Sequence, residues 1–218
     1  MKLSAKTLAI LKNFSTINQS ILVRPGNVLR TMTATKTVIA KASVPDAFDR
    51  EFAIYNVPQF MNCMSMFTEP DLSFGDTHVM ITDNKRSFKY FYSEVDSIVK
   101  PPNKDLQLPS VDAAFRLTAK DMQDTIKAMG ILNLPELAVV GDGQTITLQA
   151  VDVKNSSSSN FSVEVGETEN IFRVIFKADN MKMIPGDYDV SISSKGISHF
   201  SSTDVEYFVA IEHTSTFG

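Results

Sequence analysis

The sequence predicts an α+β chain made of two halves with the same order of elements, each opening on a capped helix and continuing into antiparallel strands. Three observations carry this. The first hairpin turns of the two halves lie about 116 positions apart, from Gly26 to Asp142. The second helical segments lie about 120 apart, from Met61 to Met181, so order and spacing are both kept although residue identities are not. Between them runs SIVKPPNKDLQLPS, Ser97 to Ser110, with three prolines and no strong period, which reads as an extended connector. The expected division is residues 1–97, a connector over 98–110, and residues 111–218.

Ser4 is an N-cap candidate for the opening helix. At 100° per residue, Leu3, Thr7, Ile10, Leu11, Phe14 and Ile17 gather on one side. Ala5, Lys6, Ala9, Lys12, Asn13 and Thr16 gather on the other, with Lys2 beside them, the separation expected of a helix lying on a core. Strand-like runs follow over Ser20 to Arg24, Val28 to Thr33, Lys36 to Val44 and Phe48 to Tyr55, read as one meander. A helix with Pro58 in its first turn spans Val57 to Phe67. Short strands over Asp71 to Phe74, His78 to Thr82 and Arg86 to Tyr92 close the half.

After the connector, Thr118 and Asp121 form a capping-box-like start to a helix that ends at Gly130 as its expected C-cap. Strands flank Gly141-Asp142-Gly143, where the Asp-Gly pair suggests a type I′ hairpin. Beyond a serine-rich loop over Asn155 to Ser159 come strands Phe161 to Val165 and Ile171 to Phe176, then a helical turn at Ala178 to Lys182. Pro185-Gly186 leads to strands over Asp187 to Ser193, Gly196 to Ser201 and Val205 to Glu212.

The formal net charge of -4 gives no general attraction for nucleic acid, so any such contact needs a local basic patch. A single cysteine, Cys63, excludes an intrachain disulfide framework and suits a reducing compartment. The N-terminus lacks the apolar run of a signal peptide and no window approaches 18 apolar residues, so the expectation is a cytosolic protein without a membrane partner.

No constellation converges on catalysis. His78, His199 and His213 are far apart in or near strands, no metal-ligand spacing occurs, and Gly141-Asp142-Gly143 lacks the lysine and helix of a phosphate loop. No cofactor or metal is expected. Asp187 and Asp189 share a strand face; with His199 they are the least implausible residues for a small hydrolase, one of two rival readings. The stronger lead is the opening helix. Residues 1–17 contain Lys2, Lys6 and Lys12 and no acid in an otherwise acidic chain. A second helix carries Lys120 and Lys127 on one side, with Asp121 and Asp124 close by.

The stretches MKLSAKTLAILKNFSTIN, KPPNKDLQLP, ADNMKMIPGDYDV and VEYFVAIEHTSTFG resemble the sliding clamps of T-even-type tailed phages. The most specific parts are the opening helix and Asn180, Met181, Lys182, Pro185, Gly186 and Tyr188. The resemblance implies a DNA clamp fold, with two helices per half on the inside of a ring and antiparallel sheets outside. It implies a homotrimer around duplex DNA, a non-enzymatic processivity factor for DNA polymerase, opened by a clamp loader ATPase complex and shared with late-transcription factors in the cytoplasm of an infected bacterium. Carried onto this chain, the DNA-facing residues are Lys2, Lys6, Lys12, Lys120, Lys127 and Lys182. The partner-peptide groove falls on Leu106, Leu108, Tyr207, Phe208 and Val209, for which core packing is an equal alternative. Edge strands bearing Arg86, Phe88, Tyr90 and Tyr92, and Phe161, Val163 and Val165, are expected to join subunits. The other rival reading is a β-rich phage structural or attachment protein.

Overall fold

A computed structural model describes residues 1–155 and 157–218. Ser156, within the expected serine-rich loop, lies outside the described residues. The chain divides into two compact units, Met1–Asn103 and Lys104–Gly218, a division that falls inside the 98–110 connector.

The first unit contains α1 (Ala5–Ile17), β1 (Ile21–Val23), β2 (Gly26–Met32), β3 (Val38–Phe48), β4 (Phe52–Ile54), α2 (Val57–Ser65), β5 (Asp71–Phe74), β6 (His78–Thr82) and β7 (Ser87–Phe91). Helix α1 starts where its sequence provides a cap: the Ser4 hydroxyl oxygen accepts from the Thr7 N–H at 3.2 Å. It stops at Asn18, whose side chain accepts from the Ser20 N–H and donates to the Met32 carbonyl. Thr7, Ile10, Leu11, Phe14 and Ile17 are buried, the stripe the wheel predicts, and they pack against β2, β3 and α2.

The meander reading is corrected. β1 pairs antiparallel with β4, while β2 pairs with β3. All six residues of β1 and β4 are buried, so these runs have no solvent face and cannot extend a half-exposed sheet. β3 also runs on to Phe48, past the Val44 limit read from sequence. The β2–β3 register breaks between Gly26 and Val28, and Pro45 sits on the irregular stretch where its missing N–H breaks no ladder bond. β5, β6 and β7 form a three-stranded sheet in that order. Phe52 ties these elements together, stacking on Tyr92 at 5.0 Å and lying edge-on to Phe48 at 5.8 Å.

The second unit contains β8 (Ala113–Leu117), α3 (Ala119–Leu132), β9 (Glu136–Asp142), β10 (Thr145–Val151), β11 (Phe161–Glu167), β12 (Ile171–Lys177), β13 (Tyr188–Ser193), β14 (Ile197–Ser201), β15 (Val205–Ala210) and β16 (Thr216–Phe217). One sheet runs β11-β10-β9-β12-β16; in the other, β15, β14, β13 and β8 lie side by side. Strands β8 and β16 are absent from the sequence reading, since both are short and lack clear alternation. Helix α3 starts at Thr118 as expected but does not end at Gly130. It continues to Leu132 and is capped by Asn133 in the left-handed region at φ 53°, which asparagine tolerates. Burial of Leu134 anchors the turn beyond.

The Asp142–Thr145 hairpin is not type I′ either, because only Gly143 has a positive φ, 90°; the Asp142 carboxylate instead braces the loop by accepting from the Gln144 and Thr145 N–H groups. The helical turn read at Ala178 to Lys182 is a single 3-10 turn, Ala178–Asn180, shorter than the second helix per half that the resemblance implies. Among the described residues, this unit therefore has one α-helix where two were expected. Its core centres on Tyr188, Tyr207, Phe200 and Phe176. Tyr188 donates its hydroxyl to the Ile184 carbonyl, and the Tyr207 hydroxyl oxygen accepts from the Ile184 N–H.

Gly141 on β9 has no room for a side chain: a Cβ there would lie 2.5 Å from the Phe172 ring and 2.8 Å from the Asn170 carbonyl oxygen. Gly141→Ala is expected to cost about 1–3 kcal/mol through overpacking, read as a lower urea midpoint at unchanged slope.

Candidate nucleic-acid interface

With one side of α1 buried, the opposite side reaches water. Ala5, Ala9, Lys12 and Thr16 are exposed, and Lys6 and Asn13 are half-buried. No acid lies in the helix. The acid that serves its N-terminus comes instead from β3, where Asp46 accepts from the Ser4 N–H at 2.8 Å. Partial burial opposes ionisation of Asp46, but bonds from the Thr7 hydroxyl and from Ser4 hold its carboxyl below the usual range. The anion thus sits at the cap and away from Lys12.

The six lysines expected to face DNA do not stand alike. Lys2 is tied to Glu69, on the loop after α2, at 2.8 Å, and that partner raises its pKa. Lys120 is tied to Asp124 at 2.6 Å, one turn along α3. An exposed pair of this kind contributes little stability, yet it cancels charge locally. Lys12 and Lys127 are exposed with no ion pair among the described residues, and Lys182 is exposed just beyond the 3-10 turn. The outer side of α3 also shows Ile126 and Ile131, the latter 68% exposed. The wheel could have revealed Ile131, which falls opposite the buried Met122, Thr125 and Met129, whereas Ile126 borders that stripe. The basic character is therefore cleaner on α1 than on α3.

The residues of the least implausible hydrolase site are engaged elsewhere. Asp187 and Asp189 both bind Arg116, at 3.5 and 2.8 Å, and Asp187 also accepts from the Ala119 N–H at the start of α3. His199 lies 2.8 Å from Glu206 and stacks on Phe208 at 4.3 Å. Among the described residues no cluster of three His, Cys, Asp or Glu side chains could hold a metal ion.

The groove assignment needs correcting. Tyr207, Phe208 and Val209 on β15 are buried at 0, 5 and 0% exposure. Burial pushes the Tyr207 hydroxyl up to about 12. These side chains build the core and present no anchor site, which leaves the half-buried Leu106 and Leu108 as candidate groove residues.

β7 and β11 are each the outermost strand of their sheets. On β7 the side chains named from sequence turn inward: Tyr90 donates to the Asn56 carbonyl and Tyr92 stacks on Phe52. Arg86 is occupied by Asp83 and by the Phe67 ring, 5.2 Å away. The solvent-facing residues are Ser87, Lys89 and Phe91, with Phe91 66% exposed. Shifting the strand's alternation by one residue finds them. On β11, Phe161, Val163 and Val165 are half-buried.

Solved structures share this fold. The proliferating cell nuclear antigen of A. fulgidus, solved with the C-terminal region of FEN-1 bound, superposes with a TM-score of 0.69 over 96% of both chains at 13% identity. The architecture is the clamp fold. The family model for DNA polymerase processivity factors matches residues 2–87, and that for the gp45 sliding clamp, C terminal, matches residues 114–213. The sliding clamp of Vibrio phage KVP40 is 33% identical over 97% of this chain and 99% of its own length, and that of Enterobacteria phage T4 is 31% identical over 99% of each. The chain belongs to the sliding-clamp family of these tailed phages.

One turn leading into the edge strand β7 is set by charge. The Arg86 side chain, then the backbone N–H groups of Lys85 and Arg86, hold the Asp83 carboxyl down at about 2. Because the folded value is depressed, the stabilisation is complete above the ordinary value of 3.8 and disappears as pH falls through about 2. Carboxyl NMR titration is expected to find the Asp83 midpoint near that value, and Arg86→Ala to return it toward the ordinary one.

Proposed function

We propose that this protein closes, as a homotrimer, into a ring around duplex DNA and tethers DNA polymerase for processive synthesis. The reading rests most on one observation: in a chain of net charge -4, the solvent side of α1 carries Lys6 and Lys12 and no acid. Lysines that meet phosphates without reading bases give sequence-independent, salt-sensitive contact. Such contact holds weakly at any one position, and encirclement supplies the residence time. Lys127 and Lys182 extend the basic lining; Lys2 and Lys120, each already ion-paired, contribute less. The acidic remainder discourages DNA from binding elsewhere on the surface.

A closed ring needs an opener, and we assign that role to a clamp loader ATPase. Partner peptides dock beside the 98–110 connector at Leu106 and Leu108. Late-transcription factors share the clamp with the polymerase, in the cytoplasm of the infected bacterium. No step in this reading requires catalysis by the clamp itself.

The decisive experiment loads the protein onto nicked circular DNA with its clamp loader and ATP, then linearises the circle. A ring slides off the free ends, whereas retention that ignores linearisation overturns encirclement and favours an attachment protein. The Lys6→Glu, Lys12→Glu double variant is expected to lower clamp-dependent synthesis by about tenfold, because phosphate contacts are replaced by repulsion. Native mass spectrometry should find its trimer intact. Undiminished synthesis would remove α1 from the DNA path.

A further inference from the structure

The serine-rich segment between β10 and β11 walls a hollow on one face of the second unit's five-stranded sheet. Register sets which side chains share that face. Arg173 on β12 stands opposite Val140 on β9, which stands opposite Thr147 on β10; in the next row on this face stand Ile175, Ala138 and Gln149. The hollow measures about 280 Å³, and its polar lining is Gln149, Arg173 and, from the segment that follows β10, Asp152, Asn155, Ser158 and Asn160. Ala138, between Gln149 and Ile175, keeps the floor low.

The lining is rich in donors that the chain leaves unused. Among the described residues, the side chains of Arg173, Gln149 and Asn160 have no hydrogen-bond or ion-pair partner. A guanidinium carries five N–H donors and each carboxamide two. The acids around Arg173 on this face are held by backbone groups instead. Asp142, diagonal to it on β9, accepts from the Gln144 and Thr145 N–H groups at 2.9 and 2.7 Å. Asp152 accepts from the Lys154 N–H at 2.9 Å, and Glu136 from the Val153 N–H at 3.2 Å. On β11, Thr147 stands opposite Glu164 and Ile146 opposite Gly166, which makes Val165 the extra residue of a bulge. The bulge ends the straight run Phe161 to Glu164 and leaves both Glu164 and Glu167 on this face, but β11 lies three strand spacings from β12, about 14 Å. Lys177, the other cation that β12 sets here, has its own acid in Glu212 at 3.2 Å. Among the described residues, Arg173 lacks such a counter-ion.

We propose that this hollow is a docking site for the carboxylate of an aspartate or glutamate side chain on a partner protein. Three properties choose that ligand. The guanidinium fork matches a planar two-oxygen anion and binds it through parallel N–H bonds, and the Gln149 and Asn160 amides and the Ser158 hydroxyl line the same space. A phosphate monoester offers similar oxygens with up to twice the charge, and Asp142, Glu136 and Asp152 repel it more strongly than they repel a monoanion. The volume, finally, fits one side chain, whereas whole small-molecule ligands occupy about 300–1,000 Å³. Because backbone N–H groups keep the three acids from closing on Arg173, the site is open before its ligand arrives.

The test is an NMR titration with N-acetyl-glutamate amide, which is expected to shift the Arg173 Nε–H signal and the Gln149 and Asn160 side-chain amide signals along one saturable curve. N-acetyl-glutamine amide has the same shape without the charge. It should bind about tenfold more weakly, because hydrogen bonds to a charged partner are stronger. Arg173→Gln should lower the affinity for the glutamate probe by a similar factor and bring the two probes level. Lys154→Gln, which removes an exposed base from the same loop, should leave the affinity unchanged. Neither substitution touches the core, so both variants should keep the parent's urea midpoint. A glutamine probe that binds as tightly as glutamate overturns the carboxylate assignment, and so does methyl phosphate that displaces glutamate at lower concentration. Shifts that stay linear up to the solubility limit, or that persist unchanged in Arg173→Gln, overturn the site itself. These signals report on the single chain, whether or not it assembles.

Discussion

Helix α1 has only one apolar side, and the direction in which that side is buried decides what the rest of the first unit can do. Ile10, Leu11, Phe14 and Ile17 pack against β2, β3 and α2, a burial on the order of several kcal/mol at roughly 1.5–3 kcal/mol per large side chain. No surface charge interaction competes with that. Lys12 faces water because the stripe opposite it is buried, and Lys6 lies along the same outer side. The Ser4 cap and Asp46 then fix where the helix begins. A lysine face on a helix pinned in this way keeps its aim without any contact that would bind DNA tightly.

Charge pairing sorts the basic residues into two kinds. Lys2 with Glu69, Lys120 with Asp124, and Arg116 with Asp187 and Asp189 are satisfied within their own units. They hold loops and helix ends in place. Lys12 and Lys127 remain available to a ligand. The two helices are thus unequal: α3 adds exposed isoleucines and a neutralised lysine where α1 has alanines and an acid-free turn. The free lysines of the first unit thus stand on a smoother face than those of the second.

The sequence was most informative where a single period dominated. The α1 wheel names all five buried residues of the helix, and the strands Asp71–Phe74 and His78–Thr82 have the boundaries read from alternation. It failed where tertiary contact overrides local preference. β1 and β4 are apolar runs that pair with each other across some thirty positions, and local reading joined them to their neighbours instead. Gly130 looked like a helix end, but Ile131 and Leu132 carry the helix on to Asn133. For the site, residue type was legible and direction was not. Tyr207, Phe208 and Val209 had the chemistry of a docking groove and proved to be core. Along β7 the strand was named correctly, but the alternate residues Lys89 and Phe91 hold its solvent face.

The bulge at Val165 has a consequence for copies that have not yet assembled. An open, flat edge is a template on which chains stack without limit, and a protein made in quantity carries that hazard until every edge is covered. β11 bends at Val165 after four straight residues, too few to seed a fibril of six- or seven-residue segments. The strand can accept a matched neighbour and still be a poor nucleus for an indefinite one. A copy of this chain that has met no neighbour therefore offers only four straight residues along β11, which limits what can stack on it.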